Sequence, residues 1–177
     1  WQYNNRHESR GTKTRFGMGV AERYSKGVMG HDSICSLPVE KMAADNAYLF
    51  LWTTWTHMPQ ALEVIKAWGF EYKTVAFVWH KLNKDGTSFY GPGRYVPSNT
   101  EPCLFSVRGR PWTPNTGWKP RQVVSLPHPR DEKGKIIHSR KPEAVHQQIE
   151  QWLHPHSPEG DPWVELFATQ DPPGWEC

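Results

Sequence analysis

A carboxylate, a proline carbonyl and an aromatic ring in one short stretch can hold an aromatic amine. The acid and the carbonyl accept its two hydrogens and the ring stacks on its plane. The chain carries a near match in Asp171-Pro172-Pro173, but Gly174 separates the second proline from Trp175. Glu165 interrupts the apolar run "WVELFA". A buried lone carboxylate is costly unless donors meet it, and a sugar diol offers two; a water-facing edge strand is the plainer alternative. Lys141 stands where a helical pattern begins, a position at which a cation opposes the helix dipole, so an anionic partner is expected. Residues 1–27 hold Arg6, Arg10, Lys13, Arg15, Arg23 and Lys26 against Glu8 and Glu22. Residues 108–121 hold Arg108, Arg110, Lys119 and Arg121 with no acid, interleaved with Trp112 and Trp118. Basic loops with aromatics between them suit phosphate contact and base stacking; two solvated loops are the alternative.

The elements that must position these residues follow from the hydrophobic pattern. Residues 1–27 are polar and glycine-containing and read as a long loop. Short helical turns fall in 33–42, interrupted by Pro38. "NAYLFLWTT" (46–54) is an apolar run of strand length, as expected of a strand buried on both faces. "HMPQALEVIKAWGF" spaces Met58, Ala61, Leu62, Ile65 and Trp68 as a helix, with Pro59 in its first turn and Gly69 as its stop. "EYKTVAFVWHK" (71–81) is β-branched and aromatic, and strand–helix–strand order predicts a parallel pair. A Gly/Pro loop covers 83–98. Further strands are expected at 101–109, 121–126 and 162–168, and an amphipathic helix at 141–154 with Pro142 at its start. Alternating strands and helices predict one α/β sandwich domain over residues 1–177 around a mostly parallel sheet. Ligands in such sheets sit beyond the carboxyl ends of the strands, which promotes the residues just after 54, 79, 107 and 167.

A chain of 177 residues can bury a core without staples. Three scattered cysteines do not make a disulfide framework or a thiolate metal site, and a reducing, cytoplasmic setting is expected. No apolar run reaches membrane-spanning length. Nine histidines include no set at zinc spacing, so no metal is expected. "FGMG" (16–19) does not follow a strand and reads as loop flexibility. Neither a Walker loop nor a hydrolase nucleophile elbow is present.

The segments "LFLWTT", "ALEVIKAWGFEYKTVAFVWHKLN", "NTEPCLFSVRGRP", "HSRKPEAVHQQIE", "VELFA" and "PGW" follow one another along nearly the whole chain. In that order and spacing they resemble the MT-A70 family of adenine methyltransferases, most closely its short bacterial and phage-type members. The resemblance implies a Rossmann-like methyltransferase fold, S-adenosylmethionine as cofactor, and methyl transfer to the exocyclic N6 amine of adenine in nucleic acid, DNA ahead of RNA. It also implies that Trp1 is the last residue of the family's Asp-Pro-Pro-Trp, with the other three residues preceding it, and that a Gly-Asn-acidic segment follows Cys177. On that expectation Asp171-Pro172-Pro173 is a decoy and the domain is incomplete at both ends.

The same resemblance assigns roles to individual residues. Trp1 would stack on the target base, Trp79 and Lys81 of "VWHKLN" would line the adenosine pocket, and Tyr24 would cover the nucleoside. Read without it, Trp79 is equally a core residue and Lys81 a solvated strand end. Ser139 and Lys141 of "HSRKP" would grip the amino-acid end of the cofactor, and Glu165 its ribose. Thr169 and Gln170 stand where members carry basic residues or Asn and His against the cofactor. Asn99 and Glu101 match a family segment near the active site, and His80 replaces a commonly apolar residue without an evident role. Nucleic acid, and a second copy of the chain or a partner subunit, are the implied partners; a membrane is not. The competing expectation is a catalytically silent, nucleic-acid-binding subunit that supports an active partner.

Overall fold

Four strands, four α-helices and one 3-10 turn (Trp55–His57) make up the regular structure among the described residues. The computed structural model describes residues 29–91, 93, 95–112, 114, 117–153 and 163–167. The strands are β1 (Ala47–Trp52), β2 (Glu71–Leu82), β3 (Thr100–Arg108) and β4 (Val123–Pro127). The helices are α1 (His31–Cys35), α2 (Val39–Met42), α3 (Met58–Ala67) and α4 (Glu143–Leu153). Pro38 caps α2 and separates it from α1, Pro59 lies in the first turn of α3, and Gly69 follows that helix at φ 78°. These boundaries lie within a few residues of those that periodicity predicts.

The sheet order is β1-β3-β2-β4. β3 runs antiparallel to both neighbours, and only β2 and β4 pair in parallel. The expectation of a mostly parallel sheet is therefore corrected: the described sheet is mixed and mostly antiparallel. β1 and β2 do point the same way, as a helical crossover requires, since both oppose β3. They do not pair, because β3 fills the gap between them. Its segment Pro102–Ser106 is buried at every position, which suits a central strand better than β1, whose residues are all half-buried. The loop over 83–98 gives the chain room to turn back and insert β3 antiparallel.

Side-chain alternation sends the two faces of the sheet to different partners. On one face Leu104 joins Ile34, Val39, Ala61, Val64, Ile65, Trp68 and Phe70 from α1 to α3 and the start of β2. Trp68 also donates its indole N–H to the Ile34 carbonyl at 2.9 Å, tying α3 to α1. On the other face Cys103, Phe77, Trp79 and Val124 pack against Val145, Ile149 and Leu153 of α4. The chain thus forms three layers, with α1–α3 on one side and α4 on the other. The last predicted strand, 162–168, is not seen as one within 163–167: Val164 and Phe167 are exposed, and Phe167 has φ 66°.

Where β3 ends, Gly109 takes φ 63°, and a Cβ there would lie 2.2 Å from the Asp45 carbonyl oxygen and 2.5 Å from Asn46 Oδ1. Gly109→Ala should therefore lower stability by at least about 2 kcal/mol. Chemical denaturation of the two proteins reads this directly, and an unchanged midpoint would mean that this turn relaxes freely.

Candidate functional site

Register and alternation build the site on the α4 face of the sheet. Trp79 pairs with Glu101 and Trp52 with Cys103. Lys81 lies two residues beyond Trp79, and Glu101 two residues before Cys103, so both fall on the face that α4 covers. The carboxyl ends of β1, β2 and β4 and the start of β3 therefore meet at one edge. Pro142 is buried just before α4 and accepts the Val145 N–H at 3.0 Å, which fixes Lys141 above that edge.

Glu101 bridges the two lysines. Lys81 Nζ donates to its Oε1 at 2.5 Å and Lys141 Nζ to its Oε2 at 2.7 Å. The three side chains are 13%, 16% and 18% exposed for Lys81, Glu101 and Lys141. Burial pushes the Glu101 carboxyl up, but Lys141 and Lys81 outweigh it and hold the group below the usual carboxylate range. The triad keeps one net positive charge. Each ammonium also faces an indole, Lys81 at 5.2 Å from the centre of Trp79 and Lys141 at 5.5 Å from that of Trp52. The anionic partner expected for Lys141 is thus present, and the protein itself supplies it.

Trp79 is 2% exposed and donates its indole N–H to the Leu126 carbonyl at 2.8 Å, locking β2 to β4. His128 packs edge-on against both Trp79 and Phe89, with centroids 5.1 and 4.6 Å away. Its Nε2 is buried with no hydrogen-bond partner among the described residues. Burial and then the Lys81 charge push the imidazole below the ordinary histidine range, which favours its neutral form. His80 takes a role that the sequence does not suggest: its two ring nitrogens lie 3.1 Å from Ser125 Oγ and 2.9 Å from Ser88 Oγ, joining β4 to the loop after β2.

A cleft of about 330 Å³ opens beside this cluster, lined by Leu126–Arg130 and Arg140–Ala144. Ser139, at its margin, adopts φ 69°, a conformation that costs a non-glycine residue of order 1–3 kcal/mol and concentrates at functional sites. Glu165 lies against α4, with Oε2 3.4 Å from His146 Nε2. Asn99 accepts the Lys81 N–H through its carbonyl at 2.8 Å.

The basic Trp loop begins at the opposite edge, because β3 runs backwards: Arg108 pairs with Ala47, far from Trp52. There Arg108 donates to the Glu40 carbonyl at 2.6 Å, and Asn46 Oδ1 accepts the Arg110 backbone N–H at 2.7 Å. The Trp112 carbonyl accepts from the Tyr48 hydroxyl, and its indole donates to the Leu153 carbonyl at 3.3 Å. Trp118 is half-buried, while Lys119 and Arg121 are exposed. The structure thus gathers Trp79, Lys81, Glu101, Ser139 and Lys141 at one edge and separates the start of the Trp loop from them. Trp1, Tyr24, Arg6, Arg10, Lys13, Arg15, Thr169, Gln170 and Asp171-Pro172-Pro173 lie outside the described residues. No described group of three or more His, Cys, Asp or Glu side chains could hold a metal ion. No described helix is long and apolar enough to cross a membrane.

The sequence marks Glu101 only weakly as a site residue and does not mark His128 or Trp52. An acid opening the apolar run of β3 is a signal that could have raised Glu101; nothing in the sequence pattern marks His128.

An α/β domain with a half-buried acid clasped by two lysines at the strand ends, beside a cleft, does not by itself name a family. The chain belongs to the MT-A70 family, whose model matches residues 3–177. It is also 37% identical over 140 residues to the Type II methyltransferase M.MunI of Mycoplasma sp, a match covering 79% of this chain and 52% of that protein. The chain therefore spans about half the length of that relative.

Proposed function

We propose that the chain is the methyl-transferring domain of an S-adenosylmethionine-dependent enzyme acting on the N6 amine of adenine in nucleic acid, DNA ahead of RNA. The observation that carries this reading is the Lys81–Glu101–Lys141 bridge at the carboxyl edge of the sheet. Family membership and the relative's name supply the reaction class, and the DNA preference rests on likeness to the short bacterial members.

The cleft, at about 330 Å³, lies at the small end of the range for such ligands, which begins near ~300 Å³. Its lining carries Arg130, Arg140 and Lys141 beside Glu143, so the carboxylate of the cofactor finds cations there and its ammonium an acid, although the cofactor as a whole is a cation. S-adenosylmethionine supplies, when bound, an electrophilic methyl group on a sulfonium. Lys141 holds the carboxylate end of that ligand and Ser139 the same end from the strained loop, while Glu165 takes the ribose. Trp79 and Lys81 wall the base site, and Glu101 sets the height of both ammoniums above the strand ends. Trp1 and Tyr24 complete the base site in this reading, and Thr169 and Gln170 the adenosine end. Arg6, Arg10, Lys13, Arg15, Lys119 and Arg121 serve as phosphate contacts, with Trp118 beside them. The adenine amine is a weak nucleophile whose lone pair is delocalised, so positioning supplies most of the rate.

In the full protein, Lys81→Ala and Glu165→Ala should each reduce methyl transfer by at least about tenfold without unfolding it. Initial rates with labelled cofactor, alongside circular dichroism, measure both. Wild-type rates in both variants would remove this site assignment.

A further inference from the structure

The loop between β2 and β3 is rooted in the candidate site and turns aromatic side chains outward. Lys81 anchors both of its stems: its carbonyl accepts the Phe89 N–H at 2.9 Å, and its own N–H donates to the Asn99 carbonyl at 2.8 Å. The first lobe is a tight turn, with the Asn83 N–H donating to the Thr87 carbonyl at 2.8 Å and Gly86 at φ 83°. The second lobe closes where the Gly91 N–H meets the Ser98 carbonyl at 2.9 Å. A Cβ on Gly91 would sit 2.5 Å from that oxygen, so only glycine permits the closure. Phe89 points inward onto His128, whereas Tyr90 is 73% and Tyr95 88% exposed.

Two outward tyrosines on a braced loop are not explained by the core. They stand at the edge that carries Lys81, and Trp55 joins them there, half-exposed, with its indole N–H held by Thr100 Oγ1 at 2.8 Å. The loop after β4 leaves from the same edge and carries Arg130, Lys133, Lys135 and Arg140 against Asp131 and Glu132. Flat amphipathic rings beside cations match the chemistry of an unpaired nucleic-acid strand, whose bases stack and whose phosphates need neutralising.

We propose that Tyr90 and Tyr95 form a stacking surface for unpaired bases next to the target nucleotide. The inference rests on the function proposed above and adds the residues that hold the flanking strand. Stacking is tolerant of sequence, so these residues set affinity for an opened strand and not the choice of site. The loop stems meet at Lys81, so the surface belongs to the same strand ends as the base site.

The test uses the full chain and a fluorescein-labelled, mixed-sequence, single-stranded oligodeoxynucleotide, followed by anisotropy. Tyr90→Ala and Tyr95→Ala should each weaken binding roughly tenfold. Tyr→Phe at either position should keep wild-type affinity, and S-adenosylmethionine affinity should not change in any variant. The salt dependence should keep its slope, because no phosphate contact is lost. Wild-type affinity in both alanine variants would overturn the proposal while leaving the methyltransferase reading standing. Loss of self-association by sedimentation, with oligonucleotide affinity unchanged, would also overturn it, in favour of a contact between chains. Failure of the wild-type protein to bind the oligonucleotide and to transfer methyl groups would sink the functional reading, and the proposal with it.

Discussion

Glu101→Ala is expected to lower the stability of the fold by about 3 kcal/mol and to abolish measurable methyl transfer in the full protein. The carboxylate is the shared counter-ion of Lys81 and Lys141, at 2.5 and 2.7 Å. Removing it leaves two ammoniums facing one another in a pocket where each is less than a fifth exposed. The low end of the range for breaking a buried pair applies because some water still reaches all three groups. Glu101→Gln keeps the shape and an acceptor oxygen, so it should cost less in stability while still misplacing the lysines. The bridge also fixes a pH dependence. The carboxyl is held below its ordinary range, so its contribution is fully present above the unfolded-state value near ~4.3. It is lost as pH falls through the lower folded-state value. Urea unfolding of wild type and Glu101→Ala at pH 7 and pH 3 measures both effects: the gap between the two proteins should be wide at pH 7 and should narrow at pH 3. Equal midpoints at pH 7 would show that the bridge contributes nothing.

Trp79→Ala is expected to cost about 3–5 kcal/mol, the usual penalty for emptying a large buried aromatic site. Trp79 is 2% exposed, packs in the cluster under α4 and meets His128 edge-on. Its indole N–H also holds the Leu126 carbonyl, and a buried acceptor left alone adds about 1–3 kcal/mol. Trp79→Phe fills most of the space and should lose mainly that bond, so its midpoint should fall between wild type and alanine. A midpoint for Trp79→Ala within about 0.5 kcal/mol of wild type would place the ring outside the load of the core. Trp79 is thus a core residue, and in the function proposed above the same ring also walls the base site; the sequence leaves these two readings as alternatives.

The described helices and β1–β4 were legible because each carries a strong local signal, whereas the apolar run at 162–168 did not become a strand within 163–167. Pro59 and Gly69 bracket α3, and the aromatic and β-branched run of β2 has one natural reading. Pairing was not legible in the same way. Strand–helix–strand order gives the relative direction of β1 and β2 but does not reveal that β3 occupies the gap. The antiparallel β3 in turn moved Arg108 and Arg110 away from the edge where the parallel expectation put them. Of the site, Lys81 and Lys141 were legible from the family resemblance and from a lysine at a helix start. Their common partner was not, because Glu101 lies 20 residues from Lys81 and 40 from Lys141, and only the register of β3 against β2 together with the packing of α4 on the sheet gathers the three. His80 and His128 acquire partners purely from tertiary placement.

Methyl transfer to adenine is the step on which the proposed function stands. The most direct measurement incubates the full-length protein with isotopically labelled S-adenosylmethionine and, separately, adenine-containing duplex DNA, single-stranded DNA and RNA, then identifies the labelled nucleoside. Label in N6-methyladenine, with DNA ahead of RNA, is the predicted result. No label in any polymer, together with no cofactor binding, would contradict the account and favour a silent, nucleic-acid-binding subunit.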